Sequence, residues 1–277
     1  MAQSIFAPGL FQGQTALITG GGTGIGLAAA LELTSLGATV AIGSRKQENV
    51  DAGLAALRAL GLAEPLGQVL DIRDADACQA FAKDVLAKTG RIDVLVNNAG
   101  GQFPCPAEQL SPRGFEAVIR NNLIGLFNMT QAVANAAMIP ARRGRIVNVI
   151  ADVYRGFPGM AHTGAARAGV DNLTKSLAVE WARHGIRVNA CAPGTIRSSG
   201  TTQYGEATLE LSRAATPVKR LGTVEEVSRV IVFLASAAND FVTGSTYYID
   251  GGGSLWGDVW PIEEPQGERA EEPSGAE

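Results

Sequence analysis

The chain has 277 residues, of which 46% are hydrophobic and 18% charged, so it can form one large domain or two small ones. This composition excludes a disordered chain, a collagen-like repeat and a disulfide scaffold. The formal net charge is −4, but residues 261–277 hold six Glu and one Arg and contribute −5 of it. The rest of the chain carries +1 and no basic stripe, so we expect no nucleic-acid partner.

Neither end of the chain indicates export or a membrane. The N-terminus lacks a basic region followed by a long apolar run, and no apolar run reaches the roughly 18 residues that span a bilayer. Cys78, Cys105 and Cys191 are widely spaced, and with only two histidines, His162 and His184, they form no zinc-binding pattern. We therefore predict a cytoplasmic protein with reduced cysteines and no metal.

From Thr15 onward, short apolar runs alternate with longer amphipathic segments. The predicted strands are Thr15–Thr19, Thr39–Gly43, Pro65–Leu70, Asp93–Asn97, Arg145–Val149, Arg187–Cys191 and Thr246–Ile249. The predicted helices lie near residues 25–36, 48–60, 74–88, 114–138, 164–183 and 224–237. This alternation is typical of a parallel sheet with helices on both faces, so we predict one doubly wound α/β domain over residues 1–260 and a disordered acidic tail over 261–277. Residues 195–223 interrupt the pattern and are interpreted as a substrate loop.

The first predicted strand leads directly into a glycine-rich turn, Gly-Gly-Gly-Thr-Gly-Ile-Gly over residues 20–26, and then into a helix. Glycines let the backbone approach a pyrophosphate, and the helix N-terminus offers unpaired N–H groups and the positive end of its dipole. A turn that follows a strand and opens a helix is the context that a dinucleotide-binding motif requires. We expect phosphate contacts from Gly20, Thr23, Gly24, Ile25 and Gly26, in preference to an ordinary glycine-rich turn.

The ends of the next two strands indicate which dinucleotide is bound. A site selective for NAD places Asp or Glu after the second strand to bind the ribose 2′-hydroxyl, whereas a 2′-phosphate requires Arg or Ser. Ser44, Arg45 and Lys46 stand there and favour NADP(H), unless Arg45 and Lys46 only begin a solvated helix. Asp71 and Ile72, after the third strand, are candidates for adenine contacts, although an Asp at this point also fits a helix cap.

Further motifs follow in order along the chain. They are Asn97-Asn98-Ala99-Gly100, Asn122-Leu123-Ile124-Gly125, Pro193-Gly194 and Asp250-Gly251-Gly252. Together with the glycine turn they resemble the short-chain dehydrogenase/reductase family over about residues 14–253. The resemblance implies a Rossmann-like fold, a nicotinamide cofactor and a homotetramer assembled through the helices near 114–138 and 164–183. It also implies cofactor contacts from Asn98, Ala99, Gly100, Arg167, Pro193, Gly194 and Ile196.

The chain departs from this family at the positions that usually act on the substrate. Members of the family usually carry a Ser after the fifth strand, then a Tyr and, four residues later, a Lys. Ile150, Thr163 and Arg167 stand at these positions, and only Asn122, which the resemblance assigns to a helix kink and a bound water, matches. Thr163 cannot replace the Tyr as an acid, and Arg167 stays protonated, so it can bind ribose hydroxyls or an anion but cannot transfer a proton.

These departures suit the reduction of a carbon–carbon double bond conjugated to a thioester. Hydride then adds at the β-carbon and the charge develops on the thioester oxygen, which needs an oxyanion stabiliser, while water can supply the α-proton. The segments NNAGGQF (97–103) and GFPGMAHTGAARAGVDNL (156–173) are similar to peroxisomal-type trans-2-enoyl-CoA reductases, with the 2,4-dienoyl-CoA reductases slightly more distant. Both groups use NADPH, so the resemblance implies an acyl-CoA thioester as the substrate.

Three side chains between the fifth strand and its helix are candidate proton donors: Asp152, Tyr154 and His162. We favour Tyr154, which equally fits a loop aromatic covering the cofactor pocket. Asp152 and His162 equally fit residues that bind backbone N–H groups. If Tyr154 replaces the usual acid, the protein is an NADP-dependent carbonyl reductase or alcohol dehydrogenase. The third alternative is an NADP(H)-binding protein without turnover.

Two further sets of residues are candidates for the thioester substrate. Gln102 and Phe103 follow the glycines nearest the nicotinamide and are placed to touch the acyl group. Arg197, Lys219 and Arg220 lie in the predicted substrate loop and are candidates for the phosphates of coenzyme A. The alternative is that they are ordinary surface cations, which are commoner than phosphate ligands.

Overall fold

The computed structural model describes residues 4–198, 200, 201 and 204–255. The predicted boundary between the domain and the acidic tail, at residues 260 and 261, lies outside these residues, and so does the tail. Within the described residues, strands and helices alternate from Thr15 to Ile249, as the sequence predicts.

Seven parallel strands form the central sheet. They are β1 (Thr15–Thr19), β2 (Thr39–Ser44), β3 (Leu66–Val69), β4 (Val94–Asn97), β5 (Gly144–Val149), β6 (Ile186–Pro193) and, last in the chain, β9 (Thr246–Ile249). Their order in the sheet is β3-β2-β1-β4-β5-β6-β9. The order reverses between β1 and β4, and ligands of such sheets bind beyond the carboxyl ends of the strands at this point. The predicted Rossmann-like fold is confirmed.

The helices cover both faces of the sheet. They are α1 (Gly24–Ser35), α2 (Gln47–Arg58), α3 (Ala75–Thr89), α4 (Pro112–Ile119), α5 (Gly125–Val133), α6 (Ile139–Ala141), α7 (Ala161–Trp181), α8 (Glu206–Ala215) and α9 (Val224–Ala235). Alternate side chains of β1 lie on opposite faces of the sheet. Ile18 packs with α1 and α9, whereas Leu17 packs with α3, α5 and α7. This alternation buries apolar side chains on both sides, as a parallel sheet between two helix layers requires.

Two regions differ from the predicted elements. The single helix expected near residues 114–138 is divided by two π-helical turns, Arg120–Ile124 and Ala134–Met138. A π turn is one extra residue within a helix, so the apolar periodicity of the sequence does not reveal it. Between β6 and α9, the predicted substrate loop contains α8 and a small parallel ribbon of β7 (Ile196–Arg197) and β8 (Gly222–Thr223).

A buried chain of hydrogen bonds ties two helices to neighbouring strands. Asn97 at the end of β4 donates to the Thr130 hydroxyl of α5 at 2.7 Å and to the Asn148 amide oxygen of β5 at 2.9 Å. Asn148 in turn donates to the Thr174 hydroxyl of α7 at 2.9 Å. Because all four side chains are buried, each bond satisfies a group that water cannot reach. The network fixes α5 and α7 relative to the carboxyl ends of β4 and β5.

Replacing Asn148 with Leu should test this network. The substitution removes a donor and an acceptor, so the Thr174 hydroxyl loses the N–H that it accepts and the Asn97 amide loses one of its two hydrogen bonds. We therefore expect the free energy of unfolding to fall by about 2–4 kcal/mol. Asn172→Leu, on the exposed side of α7, is the control and should change it by less than about 0.5 kcal/mol. Urea titration measures both, and equal midpoints for the two variants would contradict a stabilising network.

Candidate cofactor and substrate site

The predicted phosphate-binding turn lies between β1 and α1. Gly20 and Gly24 adopt φ angles of 68° and 53°, in the left-handed region that favours glycine. Thr23, the residue before α1, is extended, and its side chain makes no capping hydrogen bond to the helix. The first N–H groups of a helix have no partner within it, so the start of α1 can receive an anion.

The turn is packed too closely for side chains. A Cβ atom on Gly26 would lie 2.2 Å from the carbonyl oxygen of Gly20. The side chain of Asn98 donates to the carbonyl oxygens of Thr19 and Gly20 at 3.2 and 3.1 Å, and the Thr19 hydroxyl accepts the N–H groups of Asn98 and Ala99, both at 3.1 Å. The end of β4 is therefore fixed to the turn, which places Asn98 and Ala99 beside the predicted pyrophosphate site.

The predicted adenosine end carries two arginines. Arg45 is exposed just after β2, and Arg73 donates two hydrogen bonds to Asp71, at 2.9 Å through Nε and 2.5 Å through Nη2. The Arg73 hydrogen bond lowers the pKa of the Asp71 carboxyl, and the charge of Arg45 contributes in the same direction. Arg73 was not among the predicted residues, although its spacing of two from Asp71 is visible in the sequence. Lys46 is exposed and pairs with Glu48 at 3.5 Å.

The structure gives the helix cap to a residue other than Asp71 and buries the side chain of Ile72. Asp71 does not cap the following helix, since the carboxylate of Asp74 accepts the N–H groups of Asp76 and Ala77 at the start of α3. The side chain of Ile72 is 3% exposed and packs in the core, and its carbonyl oxygen accepts a hydrogen bond from Asn128 at 3.0 Å. Ser44 is half-buried at the end of β2.

Asn122 shapes the nicotinamide end of the predicted site. It lies within the π turn after α4, and its side-chain amide donates to the carbonyl oxygen of Val118 at 3.0 Å. The same amide donates to the carbonyl oxygen of Gly101 at 2.7 Å and accepts the N–H of Gly101 at 3.2 Å. Asn122 therefore satisfies a helix carbonyl at the π turn and holds the loop that follows β4.

Arg167 extends from α7 to the same place. Its side chain is buried, and its Nη1 donates to the carbonyl oxygen of Val149 at 3.0 Å. A Cβ on Gly100 would lie 2.4 Å from its Nη2 and 2.6 Å from the Asn122 oxygen, so only glycine fits between these groups. Its buried Nε has no partner, and among the described residues no carboxylate pairs with the guanidinium.

The charge of Arg167 is not balanced by its surroundings. Burial lowers the pKa of the guanidinium to about 10. The neighbouring thiol of Cys191 is no counter-ion, since burial raises its pKa to about 12 and keeps it uncharged. The guanidinium of Arg167, beside Gly100, thus lacks a counter-ion and has an N–H group without an acceptor. A bound ribose would supply hydroxyl groups to accept such a hydrogen bond, and a nicotinamide would bring its electron density close to the charge.

Thr163 and His162 lie side by side at the start of α7, and both are fully buried. The Nδ1 atom of His162 accepts the backbone N–H of Thr163 at 2.7 Å and lies 3.2 Å from the Thr163 hydroxyl. The ring of Phe103 packs edge to face against the imidazole, with 4.6 Å between ring centroids. The structure thus brings Phe103 from the loop after β4 onto the residue that precedes the position of the family's Tyr.

Tyr154, the favoured proton donor, lies in a different environment. Its side chain is 68% exposed, and its ring packs against Tyr248 with 6.2 Å between centroids. Asp152 accepts the backbone N–H of Tyr154 at 3.2 Å, and burial is the main cause of its raised pKa. This geometry favours a surface aromatic over a group that reaches Thr163 and Arg167, so a catalytic role for Tyr154 stays a prediction that no contact supports.

The residues predicted to contact the substrate lie in different environments. Gln102 donates to the Tyr204 hydroxyl at 2.7 Å, which joins the loop after β4 to the segment that precedes α8. Arg220 forms a two-bond ion pair with Glu226 at 2.6 and 2.9 Å. Lys219 donates to the carbonyl oxygen of Ala214 at 2.8 Å. The charge of Arg220 is thus used within the fold, which weakens its assignment to coenzyme A.

The end of β6 closes the remaining side of the site. The carbonyl oxygen of Pro193 accepts the N–H of Asp152 at 3.1 Å, and the N–H of Gly194 donates to Ile249 at 3.0 Å. Ile196 is 4% exposed in β7. These residues are therefore held at the carboxyl end of the sheet, where the resemblance places cofactor contacts.

The described residues contain neither a membrane-spanning helix nor a cluster of metal ligands. No helix among them is both long and apolar enough to cross a bilayer. No group of three or more His, Cys, Asp or Glu side chains in the described part of the chain could bind a metal ion.

Comparison with known proteins identifies the family. The family model described as enoyl-(acyl carrier protein) reductase matches residues 20–254. The 3-oxoacyl-acyl-carrier-protein reductase of Thermotoga maritima is 41% identical over 87% of this chain and 98% of its own length, and the peroxisomal 2,4-dienoyl-CoA reductase of Danio rerio is 37% identical over 91% and 85%.

A solved structure agrees with these relatives. The citronellol catabolism dehydrogenase of Pseudomonas aeruginosa is 44% identical, covers 91% of this chain and 99% of its own, and superposes with a TM-score of 0.82. The match to the family model extends from the glycine turn to the residues after β9, so it includes the candidate cofactor site described above. The chain is an oxidoreductase that belongs to the short-chain dehydrogenase/reductase family.

Proposed function

We propose that the protein is an NADPH-dependent reductase of the carbon–carbon double bond of a trans-2-enoyl-CoA or a related enoyl thioester. The observation that carries this proposal is the buried pair of Thr163 and Arg167, which replaces the Tyr and Lys of the family. Neither residue can donate a proton near neutral pH, so direct reduction of a ketone lacks its acid. Double-bond reduction needs a stabilised oxyanion more than a strong acid, because water can protonate the α-carbon.

The cofactor proposal rests on the two ends of the site. The uncapped start of α1 suits the pyrophosphate, and Gly100 provides a surface against which a nicotinamide ring can lie close to Arg167. Arg45, with Arg73 beside Asp71, supports NADPH over NADH, since guanidinium groups suit a 2′-phosphate. When bound, the reduced nicotinamide supplies the hydride.

The chain's own residues orient the reactants. Asn122 holds the loop at Gly101, and the buried guanidinium of Arg167 offers N–H groups to ribose hydroxyls. Its positive charge also stabilises negative charge that develops nearby during hydride transfer. Phe103 packs on His162 at the start of α7, and the neighbouring Thr163 is fully buried, so water does not reach its hydroxyl. The Gln102–Tyr204 hydrogen bond holds the loop that carries Phe103.

Carbonyl reduction or alcohol oxidation is the second candidate function. The names of the Thermotoga and Pseudomonas relatives favour it, since one is a 3-oxoacyl reductase and the other a citronellol catabolism dehydrogenase. It would require an acid in place of the family's Tyr. The exposure of Tyr154 provides no support for that role.

A four-substrate assay distinguishes these functions. The purified protein would be given NADPH with a medium-chain trans-2-enoyl-CoA, a 2,4-dienoyl-CoA, a 3-oxoacyl-CoA or a simple ketone, and NADPH absorbance would be followed. We expect turnover with the enoyl or dienoyl thioester only. Turnover with the 3-oxoacyl-CoA or the ketone would replace the proposal by carbonyl reduction. No turnover with any of the four, combined with tight NADPH binding, would indicate a binding protein.

We also propose a homotetramer, as the family resemblance implies. The groove lined by Phe115, Ile119 and Ile124 on α4 and the following π turn supports it. Phe115 and Ile124 are 39% and 46% exposed, and together with Ile119 they form an apolar patch that a second subunit would cover. Light scattering should give four times the 28.7 kDa chain mass.

A further inference from the structure

The imidazole of His162 is completely buried, yet only one of its two nitrogen atoms is used. Nδ1 accepts the N–H of Thr163. Nε2 is also buried and has no hydrogen-bond partner in the described structure. A buried polar atom without a partner destabilises a fold, and such atoms are few in native proteins. His162 therefore calls for an explanation beyond packing.

The hydrogen bond to Nδ1 fixes the form of the ring. A backbone N–H can only donate, so Nδ1 must present its lone pair, and the proton of the neutral imidazole is then on Nε2. The unused atom of His162 is consequently an N–H donor and not an acceptor. A donor held in place by the first turn of α7 has a fixed orientation before an oxygen atom binds, which is the property that an oxyanion site requires.

The position of His162 relates this donor to the reacting groups. It directly precedes Thr163, and Arg167 follows one helical turn beyond Thr163 on the same helix. Phe103 packs on its ring from the loop that also carries Gly100 and Gly101, next to Asn122. Phe103 is itself 41% exposed, so a rotation of its side chain uncovers the imidazole without unfolding α7.

We propose that His162 donates its Nε2–H to the thioester oxygen of the substrate and stabilises the negative charge that develops there. The inference rests on double-bond reduction as the proposed function. In that reaction the hydride of NADPH forms a bond to the β-carbon, the π electrons of the double bond move to form an enolate whose charge is on the thioester oxygen, and NADPH becomes NADP⁺. The α-carbon then takes a proton from water, so His162 retains its own proton throughout.

Kinetics of His162 variants test this role. His162→Phe removes the donor and keeps a ring of similar size, so kcat with the enoyl-CoA should fall about 10²-fold. His162→Gln places an amide N–H near the position of Nε2, so kcat should recover to within about 10-fold of the wild type. His184→Gln is the matched control, because His184 is the only other histidine and lies beyond the far end of α7. NADPH affinity, measured by fluorescence, should be unchanged in all three.

A spectroscopic measurement reports on His162 without turnover. With ¹⁵N-labelled histidine the two imidazoles of the protein give four ring-nitrogen signals, and the His184→Gln variant assigns the two that belong to His162. At pH 7.5 the His162 signals should show the form with the proton on Nε2, and a saturated acyl-CoA with NADP⁺ should shift its Nε2 resonance. His184 should not respond.

The outcomes separate the two proposals. If the wild type reduces enoyl-CoA and His162→Phe is fully active, the role of His162 is overturned and the proposed function stays intact. The same holds if an acyl-CoA complex leaves the Nε2 resonance in place. If the wild type neither binds acyl-CoA in calorimetry nor reduces any enoyl thioester, the proposed function fails and this inference fails with it. An Nδ1-protonated ring would also overturn the inference.

Discussion

Arg167→Met should lower kcat/KM for NADPH-dependent turnover by about 10³-fold and, in the protein without cofactor, raise the free energy of unfolding by about 1–2 kcal/mol. Both effects have one cause, a buried positive charge that has no counter-ion among the described residues. The loss of activity follows from removing the N–H groups and the charge next to Gly100. Measured Michaelis constants and urea titrations of the two proteins test the prediction.

The gain in stability follows from the direction of the pKa change. Burial lowers the pKa of Arg167 to about 10, so the charged side chain is less stable in the folded than in the unfolded chain. The difference amounts to about 3 kcal/mol at 1.36 kcal/mol per pKa unit, and it is present at every pH below about 10. Part of the gain is lost because Val149 loses the donor of its 3.0 Å hydrogen bond, which leaves a net effect of about 1–2 kcal/mol.

A control and a bound cofactor make this prediction specific. Arg183→Met removes an exposed arginine just beyond α7 and should change the free energy of unfolding by less than about 0.5 kcal/mol. NADPH should stabilise the wild type more than Arg167→Met, because the stabilisation by a ligand rises with the logarithm of the ratio of its concentration to its Kd. If Arg167→Met is both destabilised and fully active, the guanidinium stabilises the folded state and has no role in turnover.

The sheet could be predicted from the sequence because its signals are local. Each strand is a short apolar run, and the glycine turn requires backbone angles and close contacts that glycine provides at Gly20 and Gly26. The apolar pattern could not predict the π turn at Asn122, because one extra helical residue leaves it almost unchanged, whereas the family resemblance implied a helix kink at this residue. The helix α8 and the β7–β8 ribbon lie in a segment whose polar composition is typical of a loop.

The environments of the candidate catalytic side chains were harder to predict than that of the glycine turn. Tyr154 and His162 are eight positions apart in one connection, and the sequence does not show that the first is 68% exposed and the second fully buried. The ring that packs on His162 belongs to Phe103, which is distant in sequence and makes this contact only in the folded chain. Arg73 was missed for a similar reason, since its pairing with Asp71 depends on the turn after β3.

Arg45→Asp should reverse most of the preference for NADPH. The substitution removes a positive charge and places a second carboxylate close to Asp71, whose pKa Arg45 now helps to lower. A 2′-phosphate would then be repelled, whereas the ribose 2′-hydroxyl of NADH gains a carboxylate acceptor. The ratio of kcat/KM for NADPH to that for NADH should fall by about 10³-fold.

The source of this effect can be separated from general surface charge. Arg58→Asp, at the exposed end of α2 where Arg58 pairs with Glu64, makes the same charge change away from β2 and should leave the ratio within about 2-fold of the wild type. Arg73→Ala should lower the ratio by about 10-fold, since it frees Asp71 to repel the phosphate at a greater distance than a carboxylate at position 45. Fluorescence titration with each cofactor gives the same ratio from binding alone, independently of the substrate.

Two results would contradict the role of Arg45. An unchanged ratio in Arg45→Asp would mean that the 2′-phosphate is bound elsewhere. Equal affinities of the wild type for NADPH and NADH would mean that Arg45 starts a solvated helix and selects no cofactor.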